Sequence, residues 1–249
     1  MADDFSRGAP RGRFPTTHRS AVVAVGSDDP AERARSFDVL VRAYWKPVYK
    51  HLRVRWRIED ERAADLTQGF FARAFEQRTF SAYDPSRALF RTYLKVCLDR
   101  HVMKEAESSG REKRGGHAVT LSLDFPSAER EIGALAMPAP DSLDTYFDRE
   151  WTRHLVGMAV DALRERCERG GKQLTFRVFE RYVLDDGPED RPTYAELARE
   201  LGIKVTDVTN YLAFARREFR GLLLEKLREI TGSEAEFEAE SRALLGSAR

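Results

Sequence analysis

Cysteine is scarce in this chain. Only Cys97 and Cys167 occur, far apart and each inside a helical pattern. They read as reduced, partly buried thiols rather than a disulfide framework or a metal site. Long apolar runs are missing too, since none approaches the roughly 20 residues that span a bilayer. The start, Met1 to Pro10, has no apolar stretch of a secretory signal, so a cytoplasmic protein with no membrane partner is expected. The histidines (His18, His51, His101, His117 and His154) stand at no ligand spacing with Cys, Asp or Glu, which argues against bound metal. No glycine loop follows a strand pattern, because Gly115-Gly116 comes after Arg114 in a different context. No pair of acidic residues is singled out. The sequence therefore offers no catalytic residues and calls for no cofactor.

Net charge is also small, +1 from 42 basic and 41 acidic residues. The average hides segregation. Lys95 to Arg114 and Lys204 to Arg228 are rich in Lys and Arg, whereas Leu121 to Asp148 and Glu234 to Glu240 are acidic. Phosphate attraction depends on local basic surface, so a near-neutral total leaves nucleic acid open.

What the chain does have is helical periodicity. Val39, Leu40, Ala43, Tyr44, Pro47, Val48 and Leu52 recur at steps of three and four, giving one apolar stripe from near Phe37. Further helices are expected over about Glu59 to Gln77, Ala88 to Ser108, Leu143 to Glu168, Leu174 to Leu184, Thr193 to Leu201 and Val205 to Ile230. Almost nothing reads as a strand. The expected fold is all-α, two small helical bundles joined by a flexible acidic linker. The divisions are a flexible segment at 1–30, a first bundle at 31–109, a linker at 110–142, a second bundle at 143–231 and a tail at 232–249. A solvated tail is favoured over a short acidic helix covering a basic surface.

One segment carries a specific signal. Thr193-Tyr194-Ala195-Glu196 has the form of a capping box, with the Thr193 hydroxyl and the Glu196 carboxylate each satisfying a helix-start amide. Leu197, Ala198 and Leu201 make a short buried face, Gly202 takes the tight turn, and a second helix opens near Thr206-Asp207. That order is the order of a helix-turn-helix that reads DNA. A plain helical hairpin could use the same glycine. The outward face of the second helix would hold Lys204, Thr206, Thr209, Asn210, Ala213, Arg216 and Arg217. Asn210 could read adenine edges, while Lys204, Thr206, Arg216 and Arg217 could hold phosphates. Its modest charge predicts weak binding from this unit alone.

TYAELARELGIKVTDVTNYLAFARR (Thr193 to Arg217) resembles the promoter-reading domain of small sigma-70 family factors of the extracytoplasmic-function type. DLTQGFFARAFE (Asp65 to Glu76) resembles the family's helix that docks on core RNA polymerase. FRTYLKVCLDRHV (Phe90 to Val102) resembles the next helix, whose family role is promoter melting, and FPTTHRSAVVAVG (Phe14 to Gly26) looks like the entry segment of one subgroup. The resemblance implies a sigma factor that binds core RNA polymerase and promoter DNA at the −35 and −10 elements. It places the helix-turn-helix on the −35 element, and Asp65, Leu66, Gln68 and Phe71 on the polymerase. Phe80, Tyr83 and Arg87 lie where relatives capture a flipped base, and Arg91, Lys95, Arg100 and Lys104 would track the −10 backbone. Phe80 could equally close the bundle. An acidic linker would thread toward the polymerase channel.

The chain departs from the family pattern at Arg62-Ala63-Ala64-Asp65, where only Asp65 keeps the usual acidic charge, and at Gly69. Docking on a basic clamp should be weaker in consequence. Other contacts could compensate, or phosphorylation of Thr67 by a protein kinase could restore the charge. An anti-sigma factor is a further candidate partner. The competing reading is a polymerase-independent helix-turn-helix regulator.

Overall fold

The computed structural model describes residues 20–108, 121–134, 143–184 and 191–246. The segments 1–19, 109–120, 135–142, 185–190 and 247–249, which include most of the expected flexible start and much of the expected linker, lie outside the described residues. Among the described residues every regular element is helical. They are α1 (Ala21–Ala24), α2 (Pro30–Val54), α3 (Asp60–Glu76), a 3-10 turn (Thr79–Ala82), α4 (Phe90–Ser108) and α5 (Phe125–Gly133). Then come α6 (Leu143–Arg169), α7 (Gln173–Phe179) continued by a π turn (Glu180–Leu184), α8 (Tyr194–Leu201), α9 (Val205–Glu229) and α10 (Glu234–Leu245).

Helix α2 starts seven residues before the periodic stripe does. Asp29 caps it by accepting the Ala31 N–H at 2.9 Å, and Pro30 takes the first helical position, where no amide is needed. Its apolar face meets α3 and α4 around Leu40, Tyr44, Phe71, Phe90, Leu94 and Leu98, all essentially without exposed surface. The expected flexible start is corrected over residues 20–30. Ala21, Val22 and Val25 are buried in the same core, and a run of small apolar residues this short simply shows no periodicity.

The expected linker is not structureless either. Its residues 125–133 form α5, capped by Asp124 through the Ser127 amide and riding on α2. Phe125 packs edge-on to Trp45, while Arg53 and Tyr49 bond Glu129 at 2.6 and 2.7 Å. Lys46 and Lys50 both hold Glu131 at 2.7 Å. Acidic sequence here reflects pairing with the basic face of α2 rather than solvation.

The two expected units share one continuous apolar core. Phe147, Trp151, Leu155 and Ala159 of α6, with Leu223 and Leu227 of α9 and Ile230 just beyond it, join the core of the first unit. A second cluster holds Leu163, Cys167, Phe176, Phe179 and Ala215, and a third holds Val178, Leu197, Ala198, Val208 and Leu212 under the helix-turn-helix. The tail is corrected from a solvated end to the docked helix α10. Ser233 caps it, and Glu236 and Glu240 are buried against the first unit.

Candidate nucleic-acid interface

The helix-turn-helix forms as its sequence dictates. Thr193 Oγ1 accepts the Glu196 N–H at 3.2 Å while the Glu196 carboxylate accepts the Thr193 N–H at 2.8 Å. That reciprocal bonding holds the Glu196 carboxyl below its ordinary pKa. Gly202 ends α8 at φ +65, a left-handed geometry that only glycine adopts cheaply. Asp207 then accepts the Lys204 N–H at 3.2 Å, closing the first turn of α9. With Val208 and Leu212 turned into the third cluster, Lys204, Thr206, Thr209, Asn210, Ala213, Arg216 and Arg217 are all exposed. The geometry brings all seven sequence-predicted residues onto open surface at the start of α9. Arg216 lies over the Tyr182 ring at 5.5 Å and Arg217 over Phe214 at 5.4 Å, so both guanidinium groups are pre-positioned on aromatic faces. Sequence reading missed Arg191, which lies 5.0 Å from the same Tyr182 ring that carries Arg216.

The second set of predicted residues is divided by the fold. Phe80 is a core residue with 2% exposure, stacked on Phe37 and edge-on to Phe70 and Phe90. It closes the bundle and offers no face for a base. Tyr83 is half-buried, and its hydroxyl donates to the Ala88 carbonyl at 2.7 Å with the Glu236 carboxylate 3.2 Å away. Burial, reinforced by Glu236, pushes its pKa upward. Arg87 is open to solvent beside Asp84.

Arg91, Lys95, Arg100 and Lys104 do not form one stripe along α4. Nine residues turn a helix by about two and a half turns, so Arg100 points away from Arg91. Arg91 faces α6 and α10, with Asp148 at 3.3 Å, Glu240 at 3.2 Å and the Trp151 ring at 4.9 Å. Arg100 and Lys104 line the opposite side, a cleft of about 260 Å³ between α3 and α4 shared with Arg73, Tyr93, Cys97 and His101. Burial there pulls the His101 pKa down to about 4.

On α3, Asp65 is exposed and Gln68 half-buried, whereas Leu66 and Phe71 belong to the core. Of the four predicted polymerase contacts, Asp65 and Gln68 alone present surface. Leu66 and Phe71 instead set the angle at which α3 is held. Gly69 is not demanded by packing, since a Cβ there would find only His101 Nε2 at 3.9 Å. Thr67 has no exposed surface and its hydroxyl donates to the Ala63 carbonyl at 2.8 Å. A kinase could reach it only after α3 opens locally, which removes the accessibility that the phosphorylation idea assumed. Hydrophobic periodicity held the warning, because Ala63, Thr67, Phe70 and Ala74 lie on one helical face.

Among the described residues no helix is long and apolar enough to cross a membrane, and no group of His, Cys, Asp and Glu is arranged to hold a metal. Both cysteines are free thiols. Neither the curated proteins nor the solved structures gave a match to the chain. The sequence model of the ECF sigma factor family, by contrast, matches residues 22–224, from α1 through most of α9. Sigma factors are not catalysts, so the chain acts in transcription as a DNA-binding protein rather than as an enzyme. With that match spanning well over half of its length, the chain belongs to the ECF sigma factor family.

Proposed function

We propose that this protein binds core RNA polymerase, selects promoters by reading their −35 element with α9, and helps to melt the −10 region with the unit around α3 and α4. The observation that carries the reading is the match over 22–224 taken with the seven exposed residues at the start of α9. Asn210 supplies the base-reading amide, and Lys204, Arg216 and Arg217 supply phosphate contacts. Asp65 and Gln68 serve the polymerase, with Leu66 and Phe71 holding them in place. Tyr83 and Arg91 meet the opened strand once α6 and α10 have moved off Arg91, and Arg87 adds charge at the loop. Lys95, Arg100 and Lys104 add backbone contacts further along α4.

A factor that reads two separated elements needs its two units apart. Here α6 packs on α2 and α9 packs on α6, with Leu223 and Leu227 in the shared core, so the compact chain is the resting form and polymerase draws the second unit away from the first. Separation would break the Lys50 pair with Glu150 and expose Leu223, Leu227 and Ile230.

Run-off transcription from a promoter library with core polymerase tests the reading. Initiation at a defined promoter, with weak binding of the free chain to duplex DNA, is the expected result. Tight duplex binding without polymerase, and no initiation with it, would replace this function by that of a polymerase-independent regulator.

A further inference from the structure

Helix α10 lies outside the matched region 22–224, yet it is built into the edge of the site given above to the opened strand. Three contacts converge on Glu236. Its Oε1 accepts the Phe90 N–H at 2.6 Å, and its Oε2 accepts the Gly232 N–H at 2.6 Å with the Tyr83 hydroxyl at 3.2 Å. Phe90 opens α4, so this carboxylate caps the amide end of a helix of 19 residues. One turn further along α10, Glu240 is 3% exposed and reaches Arg91 at 3.2 Å. Asp148 of α6 also faces Arg91, and Tyr44 of α2 lies within the field of both glutamates.

The chain is shaped to let the tail in. A Cβ on Gly232 would meet Tyr83 Cε1 at 2.7 Å and Val22 Cγ1 at 3.2 Å, so any other residue there would push the tail off a rigid ring. Arg228 anchors the start of α10 from α9, with its two terminal guanidinium nitrogens on Glu234 at 2.7 and 3.0 Å and its central carbon 3.8 Å from the centre of the Phe237 ring.

A carboxylate on a helix-start amide, with a tyrosine hydroxyl and a guanidinium beside it, takes the place that a phosphate oxygen would take. We propose that α10 is an internal competitor for single-stranded DNA. Glu236 and Glu240 stand in for two backbone phosphates on the edge formed by Phe90 N–H, Tyr83 and Arg91. The full chain then binds an opened strand poorly until the tail lifts. The proposal rests on the strand-binding role given above to Tyr83 and Arg91.

The test compares the full chain, a chain ending at Thr231, and Gly232→Leu, which levers the tail away without deleting it. The probe is a labelled single-stranded 20-mer of random sequence, read by fluorescence anisotropy over a series of salt concentrations. Both altered chains should bind about tenfold tighter than the full chain. Their log–log salt slope should be steeper by roughly 1.4, as two further single-strand phosphate contacts require. A synthetic peptide of residues 232–246 should displace the probe from the shortened chain. Hydrogen exchange of the Phe90 amide reports whether the tail has left, and is expected to quicken in both.

Equal affinity for all three chains once Phe90 exchange has quickened overturns the proposal. So does a peptide that restores Phe90 protection without displacing the probe. Should the shortened chain lose its fold, Gly232→Leu and the double change Glu236→Gln, Glu240→Gln decide the matter on the same two readouts. Core-polymerase binding is measured in parallel. A chain that binds no polymerase defeats the sigma reading, whereas the tail competition is judged on the oligonucleotide alone.

Discussion

Lys50 Nζ stands 2.7 Å from the Glu150 carboxylate, and both side chains are almost completely removed from solvent. The lysine comes from α2 of the first unit and the glutamate from α6 of the second. Glu131 of α5 completes the ammonium's coordination at 2.7 Å, and Arg153 pairs with the other oxygen of Glu150. A buried ion pair of this kind adds little over an apolar pair, but breaking it strands a charge. It therefore acts as a latch whose two halves must stay or go together.

Lys50→Met leaves Glu150 buried with only Arg153. Urea unfolding should show a loss of about 3–5 kcal/mol. Adding Glu150→Met to that variant should recover much of the loss, because no uncompensated charge then remains. A double variant as weak as Lys50→Met would contradict the latch.

Phe80 is wedged among Phe37, Phe70 and Phe90. Phe80→Ala should cost about 3–5 kcal/mol in denaturant stability, and Phe80→Leu should cost less. Promoter melting by Phe80→Leu should stay near the unaltered level, since the ring reaches no strand. Full stability of Phe80→Ala with lost melting would return Phe80 to a base-stacking role.

The helix-turn-helix separates folding from reading. Thr193→Ala removes a cap and Gly202→Ala strains a left-handed turn, each costing about 1 kcal/mol of stability. Asn210→Ala should leave the melting curve unchanged while relaxing promoter choice in transcription. An Asn210→Ala chain with unaltered promoter preference would place the base-reading contact elsewhere.

Acid should weaken the fold before it titrates most carboxylates. Burial holds His101 and His154 neutral, with pKa values of about 4 against 6.5 for the free side chain. Arg73, Lys104 and Arg62 disfavour a charge on His101, against Glu105, and Lys46 and Lys50 do so for His154, against Glu131 and the Arg42 carbonyl. Between pH 6.5 and 4 the unfolded chain binds more protons, so stability falls as pH drops through that range. Glu240, raised by burial, works in the opposite direction, and Glu129 and Glu131, held low by their cationic partners, add to the fall at lower pH. The urea midpoint should be lower at pH 5 than at pH 7, and the difference should shrink in His101→Asn.

Local chemistry was legible from the sequence wherever it acts within a few residues. The Thr193–Glu196 box, the turn at Gly202 and the outward face from Lys204 to Arg217 depend on bonds and angles inside one or two turns of helix. The helix spans were legible for the same reason, because period and caps are local. Tertiary structure decided which side of a helix meets a neighbour. It buried Phe80, set Arg91 against α6 and α10 while Arg100 lines the cleft toward α3, and gave the acidic stretches their basic partners on α2 and α4. Glu131 and Glu236 look like solvated charge in sequence. Their roles exist only because segments 81 and 146 residues away carry the groups they bond, Lys50 and the Phe90 amide.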